Sequence, residues 1–101
     1  MAKFLVLYRS PVSARDQMAN ATPEQAQAGM QAWQSWSERA GSAIVDLGAP
    51  LDGDGDVTGF SILQADSRAS LDELLADHPH RHTPGAAIDA LEFISIPGME
   101  G

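Results

Sequence analysis

Ala65-Asp-Ser-Arg-Ala-Ser-Leu-Asp-Glu-Leu-Leu-Ala-Asp-His-Pro-His-Arg-His82 reads as a strand end, a helix cap, one amphipathic helix and a proline stop. The same stretch carries all three histidines of the chain. Ser67 suits the N-cap, because its hydroxyl can accept from a first-turn amide that has no partner within the helix. Ser70 with Glu73 offers a capping box one turn later, so the start is fixed only to within a few residues. Leu71, Leu74, Leu75 and His78 recur at the helical period and share one face. Pro79 disfavours helical geometry in the residue before it, so the helix should end at about His78. His78 is then expected to point where the leucines point, with His80 and His82 on the exit loop.

Working outward, Val57 to Ala65 is a strand with Phe60 and Ile62 on one face and Ser61, Leu63 and Ala65 on the other. Gly59 marks either a bulge or a place where a neighbour approaches the backbone closely. After the histidines, Pro84 and Gly85 lie in a loop. Ala87 to Ile96 follows as the last strand, with Ile88, Ala90, Ile94 and Ile96 opposed to Leu91 and Phe93. Upstream, Ala43 to Leu51 is a strand, and Leu51 to Val57 is a turn rich in Asp and Gly. Asp52, Asp54 and Asp56 have the first spacings of a calcium loop, but Val57 stands where its glycine belongs and Leu63 where its glutamate belongs.

Thr22-Pro23-Glu24-Gln25 is a strong helix start, and Gly41 a natural stop after Ala40. Its inward stripe is expected to be Ala26, Met30, Trp33, Ser37 and Ala40, with Trp36 beside it. Ser10 to Ala21 is read as a loop with room for a helical turn over 14–19. Lys3 to Arg9 is the first strand, with Phe4, Val6 and Tyr8 on one face and Leu5 and Leu7 on the other.

The order strand, helix, strand, strand, helix, strand is that of the ferredoxin-like α+β fold, with a four-stranded antiparallel sheet and two helices on one face. At 101 residues the chain is read as a single domain spanning 1–101. Its strands are apolar on both faces, yet no third helix is available for the second face. A homodimer packed sheet against sheet is the simplest cover for that exposed apolar surface. The net charge of −8 with six basic residues argues against nucleic acid and anionic membranes as partners. The absence of cysteine removes disulfides and thiolate chemistry. Neither a signal peptide nor a membrane span is legible, which makes a cytoplasmic protein the expectation.

The chain resembles the YCII-related proteins. The residues that carry the likeness are Lys3-Phe-Leu-Val-Leu-Tyr8, Gly48-Ala-Pro-Leu51, Gly59-Phe-Ser-Ile62 running into Ala65-Asp-Ser67, and Asp77-His-Pro-His80. Leu91-Glu92 and Ile96-Pro-Gly-Met99 complete it. The resemblance implies a dimeric α+β barrel built from ferredoxin-like monomers. Two features depart from it. The Asp-Gly-Pro-Phe motif of one branch is missing, and the first helix holds Met30 and Trp33 but none of the histidine that some members pair with an aspartate. The resemblance therefore implies a fold and supplies no catalytic pair.

For chemistry the candidates are His78, His80 and Asp46 as acid–base groups, and Tyr8, Trp33, Trp36 and Glu92 as ligand contacts. His78 on an apolar helix face near its C-terminus either titrates near neutral pH as an acid or base, or has a structural role, capping the last carbonyls or donating to a neighbour. His80 lines a pocket or is a solvated loop residue. Asp46 orients a histidine or faces water at a sheet edge. Glu92 shares a strand face with apolar residues, and burying it would need a partner or a raised pKa. The tryptophans stack on a flat ligand or anchor the helix to the sheet. Asp77, His78, His80 and His82 lack the remaining ligands of a metal site, so neither metal nor cofactor is expected. A small-molecule pocket of unassigned activity ranks first, ahead of a non-catalytic accessory or structural dimer.

Overall fold

The computed structural model describes residues 1–53 and 55–98. Asp54 of the aspartate-rich turn and Met99 of the closing motif, with the rest of the tail, lie outside the described residues. The strands are β1 (Ala2–Arg9), β2 (Ile44–Pro50), β3 (Val57–Ala65) and β4 (Ala87–Glu92), and the helices are α1 (Ala14–Asn20), α2 (Pro23–Ala40) and α3 (Arg68–Leu75). They form one antiparallel sheet in the order β2-β3-β1-β4, the ferredoxin-like arrangement. No helix among the described residues is long and apolar enough to cross a membrane.

Alternation along β1 decides the layers. Phe4, Val6 and Tyr8 are buried on the helix side, beside Leu63 and Ala65 of β3, and Trp36, Ala40, Leu71 and Leu75 close over them. On the other side Leu5 lies between Ile62 and Leu91, and Leu7 between Phe60 and Asp89. On that side the leucines, Phe60 and Ile62 stay half-buried or exposed.

Local chemistry explains most boundaries. Thr22 and Gln25 form the reciprocal capping box of α2, and Ser67 accepts from the Ser70 amide at the start of α3. Gly48 sits at φ 86°, where β2 slips register against β3, and a Cβ there would lie 1.7 Å from the Phe60 carbonyl oxygen. No other residue fits that position. At Gly59 both readings hold: the register shifts beside it between Tyr8 and Arg9, and a Cβ would press on the Ala49 carbonyl and the Tyr8 ring.

Several boundaries differ from the sequence reading. The segment at 14–20 is a full helix, capped by Ser13. Helix α3 stops at Leu75, and a 3-10 turn over Pro79–His82 replaces the exit loop. Strand β4 ends at Glu92; after the Phe93 amide bonds the Lys3 carbonyl, Ile94 and Ile96 leave the sheet and are exposed. In α2 the stripe is right only in its C-terminal half. Ala26 and Met30 are exposed, whereas Trp36, expected at the margin, is buried. The helix is 18 residues long, and residues 23–32 at its start are all exposed, so period alone did not supply a surface for them to pack against.

Candidate functional site: an aromatic box around His78

The bend after α3 builds the site. Pro79 holds His78 in extended geometry, at φ −62° and ψ 139°, which turns its ring back under the sheet. There Nδ1 of His78 accepts the His80 backbone amide at 3.0 Å and caps the 3-10 turn. An imidazole nitrogen that accepts carries no proton, so neutral His78 must bear its hydrogen on Nε2. That Nε2–H is buried and has no hydrogen-bond partner among the described residues.

Rings surround it. Tyr8 stacks on His78 with centroids 4.8 Å apart, Trp33 meets it edge-on at 4.5 Å, and Trp36 is tilted against it at 4.3 Å. Each wall is fixed by its own strand or helix. The Tyr8 hydroxyl donates to Ser61 Oγ at 2.8 Å, and Ser61 donates to the Leu47 carbonyl at 2.6 Å, a chain that runs across three strands. Trp36 Nε1 donates to the Leu74 carbonyl at 3.0 Å, tying α2 to α3. Trp33, half-buried, is the outer wall. His80 completes the group: its ring lies 5.2 Å from that of Tyr8, and Nε2 is 2.8 Å from the Arg9 carbonyl. A carbonyl only accepts, so this nitrogen carries a hydrogen, and in neutral His80 the lone pair is on Nδ1.

Burial governs the electrostatics. It lowers the His78 pKa from 6.5 to about 3, helped by the nearby His80 and Arg81 and opposed by Asp77. Of the two readings of His78, an acid or base near neutral pH or a structural group, the lowered pKa favours the second. Burial likewise raises Tyr8 to about 12, against the hydrogen bond to Ser61, so its hydroxyl stays protonated.

The structure brings together Tyr8, Trp33, Trp36, His78 and His80, and leaves the other candidates elsewhere. Asp46 is exposed on the edge strand, where its carboxylate accepts the Gly48 amide at 2.8 Å and shapes the bulge. Glu92 is exposed, and with Met1, Lys3 and Phe93 it lines an open cleft of about 540 Å³ at the sheet's corner. His82 is exposed. Among the described residues no three His, Cys, Asp or Glu side chains converge as a metal set. Asp52 pairs with Arg15 and Asp56 with Arg9, so those aspartates serve ion pairs. Sequence reasoning missed Ser61, a buried serine midway along a strand. Its signal was a hydroxyl on the apolar face between Gly59 and Leu63.

No protein-family model matches this sequence, and no curated protein matches it. Among solved structures the chain is similar to 5-chloro-2-hydroxyhydroquinone dehydrochlorinase from Burkholderia phenoliruptrix, determined in complex with 2,5-dihydroxybenzoquinone. The two are 21% identical, the match covers 95% of each chain, and the TM-score is 0.57. That likeness shows the fold.

Proposed function

We propose that this chain is a small-molecule-binding domain that works as a homodimer, with its ligand site at the aromatic box between the sheet and α2. The observation that carries this reading is the His78 Nε2–H, a buried donor with no acceptor. Leaving such a group unpaired costs about 1–3 kcal/mol, and a native fold that keeps one calls for a reason. A ligand oxygen supplies that reason. The similar solved structure was determined with a small organic molecule, which supports this type of ligand on this fold.

In this reading His78 binds and polarises, and does not act as a base, since its one lone pair is committed to the His80 amide. A neutral imidazole N–H can still stabilise negative charge developing on a ligand oxygen. Nδ1 of His80 is the lone pair left for proton transfer. The dimer rests on the uncovered side of the sheet, where Leu5, Leu7, Phe60, Ile62 and Leu91 make one apolar surface. The alternative is a purely structural dimer, in which the box is only a core.

A thermal-shift screen over small carboxylates, phenols and aldehydes separates the two. It compares wild type with His78→Phe, which keeps a ring in the box but removes the donor, and with His82→Ala as an exposed control. A ligand should raise the Tm of wild type and of His82→Ala and leave His78→Phe unmoved. Equal shifts in all three would place binding elsewhere, and no shift in wild type would favour the structural dimer.

A further inference from the structure

Resting on the homodimer reading, we infer that residues 93–96 form an arm that crosses to the second copy and is buried against the open sheet face there. Strand β4 ends at Glu92, and the three large apolar side chains that follow stay in water: Phe93 is 47% exposed, Ile94 82% and Ile96 53%. Phe93, Ile94 and Ser95 line the open corner cleft together with Met1 and Lys3 instead of filling it.

The composition of the arm suits burial against protein. Residues 93–98 read Phe-Ile-Ser-Ile-Pro-Gly, a run without charge in a chain of net charge −8. Burying it takes no ionised group out of water. Phe and Ile favour extended backbone, and Pro97 with Gly98 at φ 85° closes the run.

Its point of departure names the occupant. The Phe93 amide bonds the Lys3 carbonyl, so alternation places Phe93 on the same face as Leu91 and Leu5. The arm therefore leaves from the rim of the face that the homodimer buries, and it continues that apolar surface. The face needs the extension. Its apolar centre of Leu5, Leu7, Phe60, Ile62 and Leu91 is bounded by Lys3 and Gln64 at one end and by Arg9 and Asp89 at the other. A standard interface takes roughly 20–30 residues a side, more than this centre supplies. Folding back over its own corner would cover the arm and leave the face as it is. Docking on the second copy covers both, and two-fold symmetry lets each copy give one arm and receive one.

The test follows the full chain by sedimentation velocity over a concentration series, beside a double variant carrying Ile94→Ser and Ile96→Ser. Isotope-filtered NMR on an equal mixture of labelled and unlabelled chains reads contacts between copies. The double variant should weaken the dimer by about ten-fold or more. Its unfolding when diluted to monomer should match wild type, because both positions are exposed there. In the wild-type mixture, Ile94 methyls should contact Leu5 or Leu7 of the other copy. A double variant that dimerises as well as wild type, with no arm contact between copies, would overturn the arm and leave the dimer standing. A double variant that unfolds more easily as a monomer, with arm contacts only within one copy, would overturn it too, by placing the arm on its own corner cleft. If wild type stays monomeric at high micromolar concentration, the homodimer reading falls and this inference falls with it.

Discussion

The two faces of the sheet are written by the same alternation and put to different uses. On the helix side, Phe4, Val6, Tyr8 and Leu63 are buried, and the polar atoms among them are tied into defined bonds: Tyr8 to Ser61, Ser61 to Leu47, Trp36 to Leu74. On the open side, Leu5 and Leu7 sit half-buried among apolar neighbours, and Arg9 pairs with both Asp56 and Asp89. One face is finished within the monomer apart from a single donor. The other is left half-buried or exposed, and the proposed homodimer is what would bury it. Disruption of the first should therefore appear as lost folding, and disruption of the second as lost assembly.

The largest effect expected is that of Trp36→Ala. It empties the centre of the covered face and frees the Leu74 carbonyl, and should cost about 3–5 kcal/mol in urea unfolding. For a small domain that is a large share of total stability. A loss under 1 kcal/mol would mean that α2 is not anchored through this residue.

Acid should come next. His78 is neutral in the fold down to about pH 3, whereas its unfolded pKa is near 6.5. Between those values the unfolded chain binds a proton that the native chain does not. Stability from this group is complete above about pH 6.5 and falls as pH drops, by up to about 1.4 kcal/mol per unit, levelling off near pH 3. Carboxylates also titrate in this range, so the informative quantity is the difference between wild type and His78→Phe, whose curve should be flatter by that slope. Parallel curves would show that His78 protonates inside the fold.

Ser61→Ala should cost about 1–3 kcal/mol, because it leaves the Tyr8 hydroxyl and the Leu47 carbonyl without each other's intermediary. Adding Tyr8→Phe should restore part of that loss, since a missing hydroxyl needs no acceptor. A double-mutant cycle with no coupling would break the chain of bonds apart.

These contrasts show what the sequence could and could not disclose. The fold was legible because strand alternation and caps are local: Thr22 with Gln25, Ser67 before α3 and Pro79 after it each act within a few residues. The aromatic box was only half legible. His78, Tyr8 and the tryptophans could be nominated from period and residue type, but their convergence depends on strand order. The orphaned Nε2–H depends on a backbone amide two residues further on. Asp46 and Glu92 looked unusual in apolar strands, yet a bulge exposes one and an early strand end the other. Neither event has a strong local signal. The exposed first turns of α2 were illegible for the opposite reason, since an apolar period says which side faces inward but not whether there is anything inside to meet.

The smallest effect on the monomer should come from Leu91→Lys, and it probes the open face alone. Leu91 is 54% exposed on the edge strand β4, opposite Leu5, so a lysine there can keep its stem on the sheet and its charge in water. Monomer stability, measured at high dilution, should change by less than about 0.5 kcal/mol. In a two-fold dimer the same substitution acts twice, placing a charge from each copy into an apolar interface, and the dimer should weaken by ten-fold or more in light scattering across a concentration series. A wild-type chain that scatters as a monomer at high micromolar concentration would overturn the assembly outright. A dimer that Leu91→Lys leaves intact would move the interface off this face. The apolar residues Leu5, Leu7, Phe60 and Ile62 would then need a different partner, and the contrast between a finished face and an unfinished one would have to be redrawn around it.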